Sequence, residues 1–237
     1  KKGTNSRRSG PGRPQGPSET RAQILDAAEL LFAQNGYNGT SLREIAEKAA
    51  VTQALLNYYF GSKEGLFTET YLRRGEELAT QRMEGLQRLQ DSGSDFGIRD
   101  VIREFILPAV NMRHSERGRM FIRLQARIHI DASDFATALR RRVYDLSTKA
   151  YVDEIRRLAP FLSDKTIYWR MIQFIGVYLY LISDAHRLFE LSDGLCNPNN
   201  DDEFIDQVVS FSAASFLAPE NETLRTAVEN RTTGAAG

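Results

Sequence analysis

Amide, phenol and ammonium side chains lie close together between residues 53 and 63 of this 237-residue chain. Gln53 and Asn57 are one helical turn apart, so on a helix their amides lie on the same side. Each amide carries a donor and an acceptor, which match the major-groove edge of adenine. Tyr58, Tyr59 and Lys63 carry groups that suit phosphate oxygens, and such contacts fix register without reading bases. The cluster therefore favours double-stranded DNA as a partner.

Two short helices have to position these groups, and the sequence contains start signals for both. Ser41 and Glu44 have the spacing of a capping box, which begins a helix. Residues 49–51 form a short turn, after which Thr52 can cap the second helix. Two helices joined in this way have helix-turn-helix geometry, in which the second helix enters the major groove.

The second short helix has an inner and an outer side. Val51, Leu56 and Phe60 have apolar helical spacing and are predicted to face the core. The opposite side is then formed by polar and small residues, namely Thr52, Gln53, Ala54, Asn57 and Tyr58. Ala54 and Leu55 can contact a thymine methyl group.

Residues 18–67, with TSLREIAEKAAVTQALLNYYFGSKEGLF at their centre, resemble the DNA-binding domain of the tetracycline repressor (TetR) family of bacterial regulators. The resemblance implies an N-terminal helix-turn-helix and a larger all-helical domain. That second domain would bind a small effector and dimerise through its last two long helices. Regulation by release from an operator is the corresponding expectation.

The same resemblance implies particular DNA contacts. Phosphates would be held by Thr40, Tyr58, Tyr59 and Lys63, bases would be reached by Arg43 and Gln53, and Ser41 lies between these groups at the helix start. The chain departs from the family pattern twice. Ala50 replaces the usual turn glycine, which is tolerable when the turn keeps a negative φ, and Asn57 replaces the commonest tyrosine.

Residues 1–17 form a basic arm that contains prolines and glycines but no acidic or large apolar residue. Such a composition predicts disorder. Arg7, Arg8 and Arg13 would suit a narrow minor groove, and a solubilising tail is the equal alternative. The predicted domains after this arm are a helix-turn-helix domain at 18–65, an effector and dimerisation domain at 66–218, and a tail at 219–237.

Apolar residues follow helical spacing throughout, which predicts an all-α fold with three N-terminal and six C-terminal helices. Ser18 and Ser62 are predicted to cap the first and fourth helices. Five later helices are predicted at 96–112, 116–130, 134–158, 164–191 and 202–217. Pro108 is expected to kink or end the first of these five.

Many aromatic and a few polar residues between 96 and 182 suit an apolar effector pocket. The candidates are Phe105, Met120, Phe121, Gln125, His129, Tyr144, Tyr151, Trp169, Gln173 and Tyr178. Taken singly, each also suits ordinary core packing. A hydrophobic or aromatic small molecule is the expected effector, and the segment after Trp169 resembles regulators of fatty-acid breakdown, so a fatty acid or acyl thioester is one candidate.

The last two long helices are predicted to form a homodimer interface. The candidate contacts are Leu181, His186, Phe204, Val208, Val209, Ser212 and Phe216. Two second helices would then meet successive major grooves about 34–36 Å apart and require a palindromic operator.

Composition limits the other function classes. The single cysteine, Cys196, and the lack of an apolar run near 20 residues favour a cytoplasmic protein without a membrane partner. The close His–carboxylate pairs, His129–Asp131 and Asp184–His186, lack a third ligand at metal spacing, so no metal site or cofactor is predicted. Two alternatives remain to a ligand-gated repressor: an effector-independent architectural DNA binder and, more remotely, a helical enzyme.

Overall fold

The computed structural model describes residues 17–93, 95–183 and 185–220, and within these ranges every regular element is a helix. The first four are α1 (Pro17–Asn35), α2 (Leu42–Lys48), α3 (Gln53–Phe60) and α4 (Lys63–Asp91). The others are α5 (Ile98–Met112), α6 (Glu116–Ile130), α7 (Asp134–Leu158), α8 (Asp164–Ser183), α9 (Ala185–Leu191) and α10 (Asp201–Leu217). The predicted all-α fold is confirmed.

Hydroxyl side chains begin α2, α3 and α4, as the sequence predicted. Ser41 Oγ accepts from the Glu44 amide at 3.2 Å, and the Glu44 carboxylate accepts from the Ser41 amide at 2.7 Å. Thr52 Oγ1 and Ser62 Oγ accept from amides three residues later, at 3.2 and 3.0 Å. Each cap satisfies an amide without a partner in its own helix and stabilises the helix start by about 1 kcal/mol.

One prediction about helix boundaries was wrong. Ser18 is the second residue of α1 rather than its cap, because the helix already includes Pro17, whose fixed φ suits a first turn. The predicted helix at 164–191 corresponds to α8 and α9, which flank residue 184, and that residue lies outside the described residues. Pro108 does not end α5, which continues to Met112.

Helix α4 joins the two parts of the molecule. Near its start, Leu66 and Phe67 are fully buried, and the Phe67 ring centre lies 4.8 Å from that of Phe32 in α1. Farther along, Leu78 and Leu86 are buried where α4 packs on α5 and α7. One helix thus sets the position of the helix-turn-helix relative to the later helices. None of the described helices is both long and apolar enough to cross a bilayer.

Candidate nucleic-acid interface and effector cavity

The two sides of α3 differ as the sequence predicted. Leu56 is 1% exposed and Phe60 is buried, so both hold α3 against the core. On the other side Gln53, Ala54 and Asn57 are exposed, while Tyr58 is 81% exposed. Thr52 is exposed too, but its hydroxyl caps α3, and Leu55 is half-buried. An outward amide pair with a neighbouring phenol is therefore available to a groove of DNA.

The turn between α2 and α3 has the backbone of a Schellman motif. The Val51 amide bonds to the Ala46 carbonyl at 3.0 Å and the Ala50 amide to the Glu47 carbonyl at 3.2 Å. Ala50 has a φ of +52°, so the negative φ under which alanine would replace the turn glycine without strain is not present. The motif needs a left-handed residue here, and alanine adopts that conformation at a cost of about 1–2 kcal/mol.

Aromatic contacts position the tyrosines near the end of α3 and the lysine that begins α4. The Lys63 ammonium, at the amino end of α4, lies 4.5 Å from the centre of the Tyr37 ring. The rings of Tyr58 and Tyr59 meet edge to face at 5.5 Å. An ammonium has three donors, so contact with a ring face leaves donors for a phosphate.

Thr40 does not fit its predicted role as a phosphate ligand. Its side chain is 2% exposed, and its hydroxyl lies 3.0 Å from the Leu31 carbonyl and 2.9 Å from the Gly36 carbonyl. A hydroxyl that donates to these carbonyls has no proton for a phosphate. Thr40 instead closes the carboxyl end of α1, where helix carbonyls lack partners in the helix.

Arg43 and Ser41 are exposed at the start of α2 and already have partners. Arg43 Nε donates to the Glu47 carboxylate at 2.9 Å, and this contact raises the arginine pKa. The Ser41 hydroxyl accepts from the Glu44 amide and donates to the Glu44 carboxylate. An exposed ion pair on one helix is screened by water, so Arg43 can exchange Glu47 for DNA at small cost. Arg7, Arg8 and Arg13 lie outside the described residues.

Ion pairs join the helix-turn-helix domain to the later helices. Asp26 of α1 meets Arg73 of α4 at 2.7 Å and Arg117 of α6 at 2.9 Å. Next to it, the buried Glu29 meets Arg74 at 3.2 Å while its second carboxylate oxygen has no partner. Desolvation of this carboxyl raises its pKa. A shift of α6 would therefore act directly on α1.

A cavity of about 620 Å³ lies between α6, α7 and α8. Its walls include Ile130, Thr148, Ile172, Ile175, Leu179 and Tyr180, and it is mostly apolar. This volume is in the range of pockets that hold small organic molecules. The cavity is open at Ile172 and Tyr180, which are more than half exposed.

Only two of the ten predicted pocket residues, His129 and Tyr144, line this cavity. Phe105, Phe121, Tyr151 and Tyr178 are core residues, Trp169 and Gln173 are exposed, and Met120 lines a separate hollow against α1. Gln125 is fully buried and does not line the cavity. Helical spacing places an aromatic on an inward face but does not distinguish a packed face from a cavity wall.

The predicted dimer contacts on α10 were wrong. Phe204, Val208, Val209, Ser212 and Phe216 are all buried within the chain, Leu181 is half-buried, and only His186 is exposed. Instead α8 and α10, which pack together, expose other large apolar side chains: Tyr168, Trp169, Ile172, Tyr180, Phe211 and Leu217. Apolar residues occur on both sides of these helices, and the prediction selected the inward side.

Two features of the site were missed. The sequence did not predict the left-handed backbone of Ala50, and it did not predict that Arg82, a charged residue of α4, lies in the core, where it is 2% exposed. The helical spacing of apolar residues along α4 is a weak signal that Arg82 is buried. Arg82 lies one turn after Leu78 and one turn before Leu86, on the same side of the helix. Among the described residues, no group of three or more His, Cys, Asp or Glu side chains could hold a metal ion.

Family models match both parts of the chain. One described as "Bacterial regulatory proteins, tetR family" matches residues 24–70. A second, described as "Tetracyclin repressor-like, C-terminal domain", matches residues 103–215. The two together cover about two-thirds of the chain, including α2, α3 and the cavity walls.

Curated relatives match over shorter lengths. The probable HTH-type transcriptional regulator YttP of Bacillus subtilis (strain 168) is 30% identical over 102 residues, which is 41% of this chain and 45% of that protein. The HTH-type transcriptional regulator AcrR of Shigella flexneri is 32% identical over 108 residues, 46% of this chain and 48% of that protein. The chain thus spans about half the length of these relatives.

Solved structures match over most of the chain. HlyIIR, a hemolysin II transcriptional regulator, superposes with a TM-score of 0.58 and 24% identity, covering 83% of this chain and 98% of that one. A likeness at this identity shows a shared fold.

Proposed function

Because the chain belongs to the tetracycline repressor (TetR) family of DNA-binding transcriptional regulators, we propose that it is a ligand-responsive repressor that binds a palindromic operator as a dimer. The exposed polar side of α3, held by the buried Leu56 and Phe60, carries this proposal. The matched families and relatives are all transcriptional regulators, so the chain is a regulator rather than an enzyme.

In the proposed complex, α3 enters the major groove. Gln53 and Asn57 pair with base edges, since their amides are exposed one turn apart. Tyr58 and Lys63 hold phosphates on either side of the groove, which fixes the register of the helix. The helix start at Ser41 contacts the neighbouring backbone, and the exposed Arg43 reaches a base edge.

The proposed dimer forms through the outer side of α8 and α10. Trp169, Phe211 and Leu217 expose much of their apolar surface there. Exposed large apolar side chains on packed helices are typical of an interface. A two-fold axis beside these helices would present two α3 helices to successive major grooves about 34–36 Å apart.

The proposed effector enters the cavity between α6, α7 and α8. The mostly apolar walls suit a hydrophobic or aromatic molecule, and a fatty acid or acyl thioester is one candidate. Because α6 is joined to α1 through the Arg117–Asp26 pair, an effector that favours one position of α6 also favours one spacing of the α3 helices. Effector binding would then lower operator affinity.

Selection of duplexes from a randomised DNA pool tests the proposal. We expect enrichment of a two-fold symmetric sequence whose half-sites are separated by about one helical turn or a multiple of it. Sedimentation of the selected complex should show an even number of chains on each duplex. Weak, asymmetric enrichment would instead indicate an architectural DNA binder.

A further inference from the structure

Arg82 is a buried positive charge without a carboxylate partner. Its Nε donates to the Phe105 carbonyl at 3.0 Å, and one terminal nitrogen donates to the Tyr178 hydroxyl at 2.7 Å. The guanidinium also stacks 3.7 Å from the centre of the Phe105 ring. Among the described residues, no Asp or Glu oxygen lies within ion-pair distance of it. Burial of an unpaired charge is costly, and an anion would offset that cost.

The groups next to Arg82 do not supply the missing charge. The hydroxyls of Tyr71 and Tyr144 lie 3.0 Å apart, and burial raises the pKa of both, so they stay neutral near pH 7. Burial lowers the pKa of His129 to about 4, so this imidazole is neutral as well. The His129 Nδ1–H donates to the Gln125 carbonyl at 2.9 Å.

Gln125 adds unused hydrogen-bonding capacity at the same place. Its side chain is fully buried, and neither the amide nitrogen nor the amide oxygen has a hydrogen-bond partner. The amide lies beside the Tyr144 hydroxyl but does not reach hydrogen-bond geometry with it. Leaving two buried polar atoms unpaired costs about 1–3 kcal/mol each. A ligand that accepts from the amide nitrogen would recover part of this cost.

The polar cluster of Arg82, Gln125, His129 and Tyr144 adjoins the cavity at its inner end. His129 and Tyr144 form part of the cavity wall, and their ring centres lie 5.4 Å apart. Arg82 and Gln125 do not line the cavity but lie behind these two rings, with the Arg82 guanidinium 6.0 Å from the centre of the Tyr144 ring. A ligand group that passes between the two rings would meet Arg82 in surroundings where charge is poorly screened.

The rest of the cavity wall has the same sign of charge. Arg123, Arg127 and Arg140 line it, against one acidic residue, Asp145. Arginines around an apolar opening attract anions and repel cations.

From this arrangement we infer that the effector is an amphipathic anion, whose oxyanion head group, such as a carboxylate, enters between His129 and Tyr144 at the inner end of the cavity and is held by Arg82 and Gln125 behind them. Its apolar body lies against Ile175 and Leu179. The inference rests on the proposed effector response and names the chemical class of the effector.

Matched pairs of probes test it in calorimetry with the full chain. Decanoate is compared with decanamide and phenylbutyrate with phenylbutyramide, so that each pair differs in charge and little in shape. We expect the carboxylate of at least one pair to bind about 10- to 100-fold more tightly than its amide. Arg82→Met should remove this preference, whereas Arg88→Met, at an exposed position on the same helix, should keep it.

A second variant covers the case in which Arg82→Met does not fold. Gln125→Leu removes only atoms that lack partners, so it should fold and still weaken carboxylate binding. Equal affinity for acid and amide, a preference that survives both variants, or no binding of any carboxylate at millimolar concentration would overturn the inference. Operator release measured in parallel separates the two proposals. A carboxylate that binds through Arg82 without releasing DNA overturns the effector response alone, whereas release by uncharged probes alone overturns only the anionic class.

Discussion

The outer side of α3 and the inner end of the cavity both present polar groups, but their surroundings are opposite. Gln53, Asn57 and Tyr58 lie in water on a helix whose apolar side is buried. Arg82 and Gln125 are withdrawn from water behind an apolar wall. The first arrangement costs little in stability, because water satisfies the polar atoms until DNA replaces it. The second carries a standing cost, because unpaired polar atoms and an unpaired charge are buried.

Because of this difference, substitutions at the two sites should affect the stability of the fold and the affinity for a partner differently. Changes to the exposed side chains of α3 should alter DNA binding, and they should change the free energy of unfolding by no more than helix propensity does, about 1 kcal/mol. Changes to the cluster beneath the cavity should alter both ligand binding and stability.

The largest change in stability and DNA binding is expected where α3 is anchored to the core. Leu56→Ala removes a side chain that is 1% exposed, and we expect it to lower the free energy of unfolding by about 2–5 kcal/mol. Operator binding should fall with it, since the exposed groups depend on the position of α3. Urea unfolding and operator binding measure the two effects. Ala54→Gly on the exposed side is the control for simple helix propensity, with an expected loss of about 1 kcal/mol. Equal effects of the two changes would contradict the assigned orientation of α3.

A lower pH should show how much the burial of His129 beneath the cavity costs in stability. The pKa of His129 is lowered to about 4, whereas an unfolded imidazole has its ordinary value near 6.5. Between these values the unfolded chain binds a proton that the folded chain does not, so stability falls as the pH drops from about 6.5 to 4. The expected loss is about 1–3 kcal/mol. Denaturant unfolding at several pH values should show this loss in the natural chain and a flatter profile in His129→Gln.

His186→Gln serves as the control, because that histidine is exposed. It should retain the pH dependence of the natural chain between about pH 6.5 and 4. If His129→Gln and His186→Gln gave the same profile, the buried imidazole would not be its source.

The separation along the chain between contacting residues explains which parts of the structure could be predicted from the sequence. The caps at Ser41, Thr52 and Ser62 depend on amides three residues later, so a short segment determines them. Burial of Arg82 instead depends on Phe105 and Tyr178, which are 23 and 96 residues away along the chain. Sequence spacing contains no information about such distant partners.

The predicted contacts on α10 were wrong for a related reason. Phe204 and Phe211 are seven residues apart and lie close together around the helix, yet Phe204 is 3% exposed and Phe211 is 65% exposed. Periodicity shows which residues share a side, but packing on α5 and α8 decides where the buried side ends. The α3 prediction succeeded because that helix has only one apolar side.

A variant of Asn57 tests whether the exposed side of α3 reads bases. Asn57→Ala should weaken binding to the selected operator by about 1–3 kcal/mol and leave binding to unrelated DNA nearly unchanged, because an amide reads bases. Tyr58→Phe is the matched variant, since loss of a phosphate contact should weaken binding to both DNAs by a similar factor. Fluorescence anisotropy with the two duplexes measures both. Neither variant should lower the urea midpoint, and a lower midpoint would show that these side chains also support the fold.

The smallest effect concerns the turn that joins α2 to α3. Ala50 has a φ of +52°, which costs an alanine about 1–2 kcal/mol relative to glycine in the folded state. Glycine also gains freedom in the unfolded state, which offsets about 0.5–1 kcal/mol. The folded-state term is larger, so Ala50→Gly should stabilise the protein by about 0.5–1 kcal/mol, as measured by urea unfolding. Ala49→Gly next to it should destabilise, because Ala49 has a φ of −83° and is buried, so glycine there relieves nothing. Stabilisation by neither variant would mean that the turn holds no strain. Stabilisation by Ala50→Gly alone would place the strain at residue 50, in the turn between the two short helices.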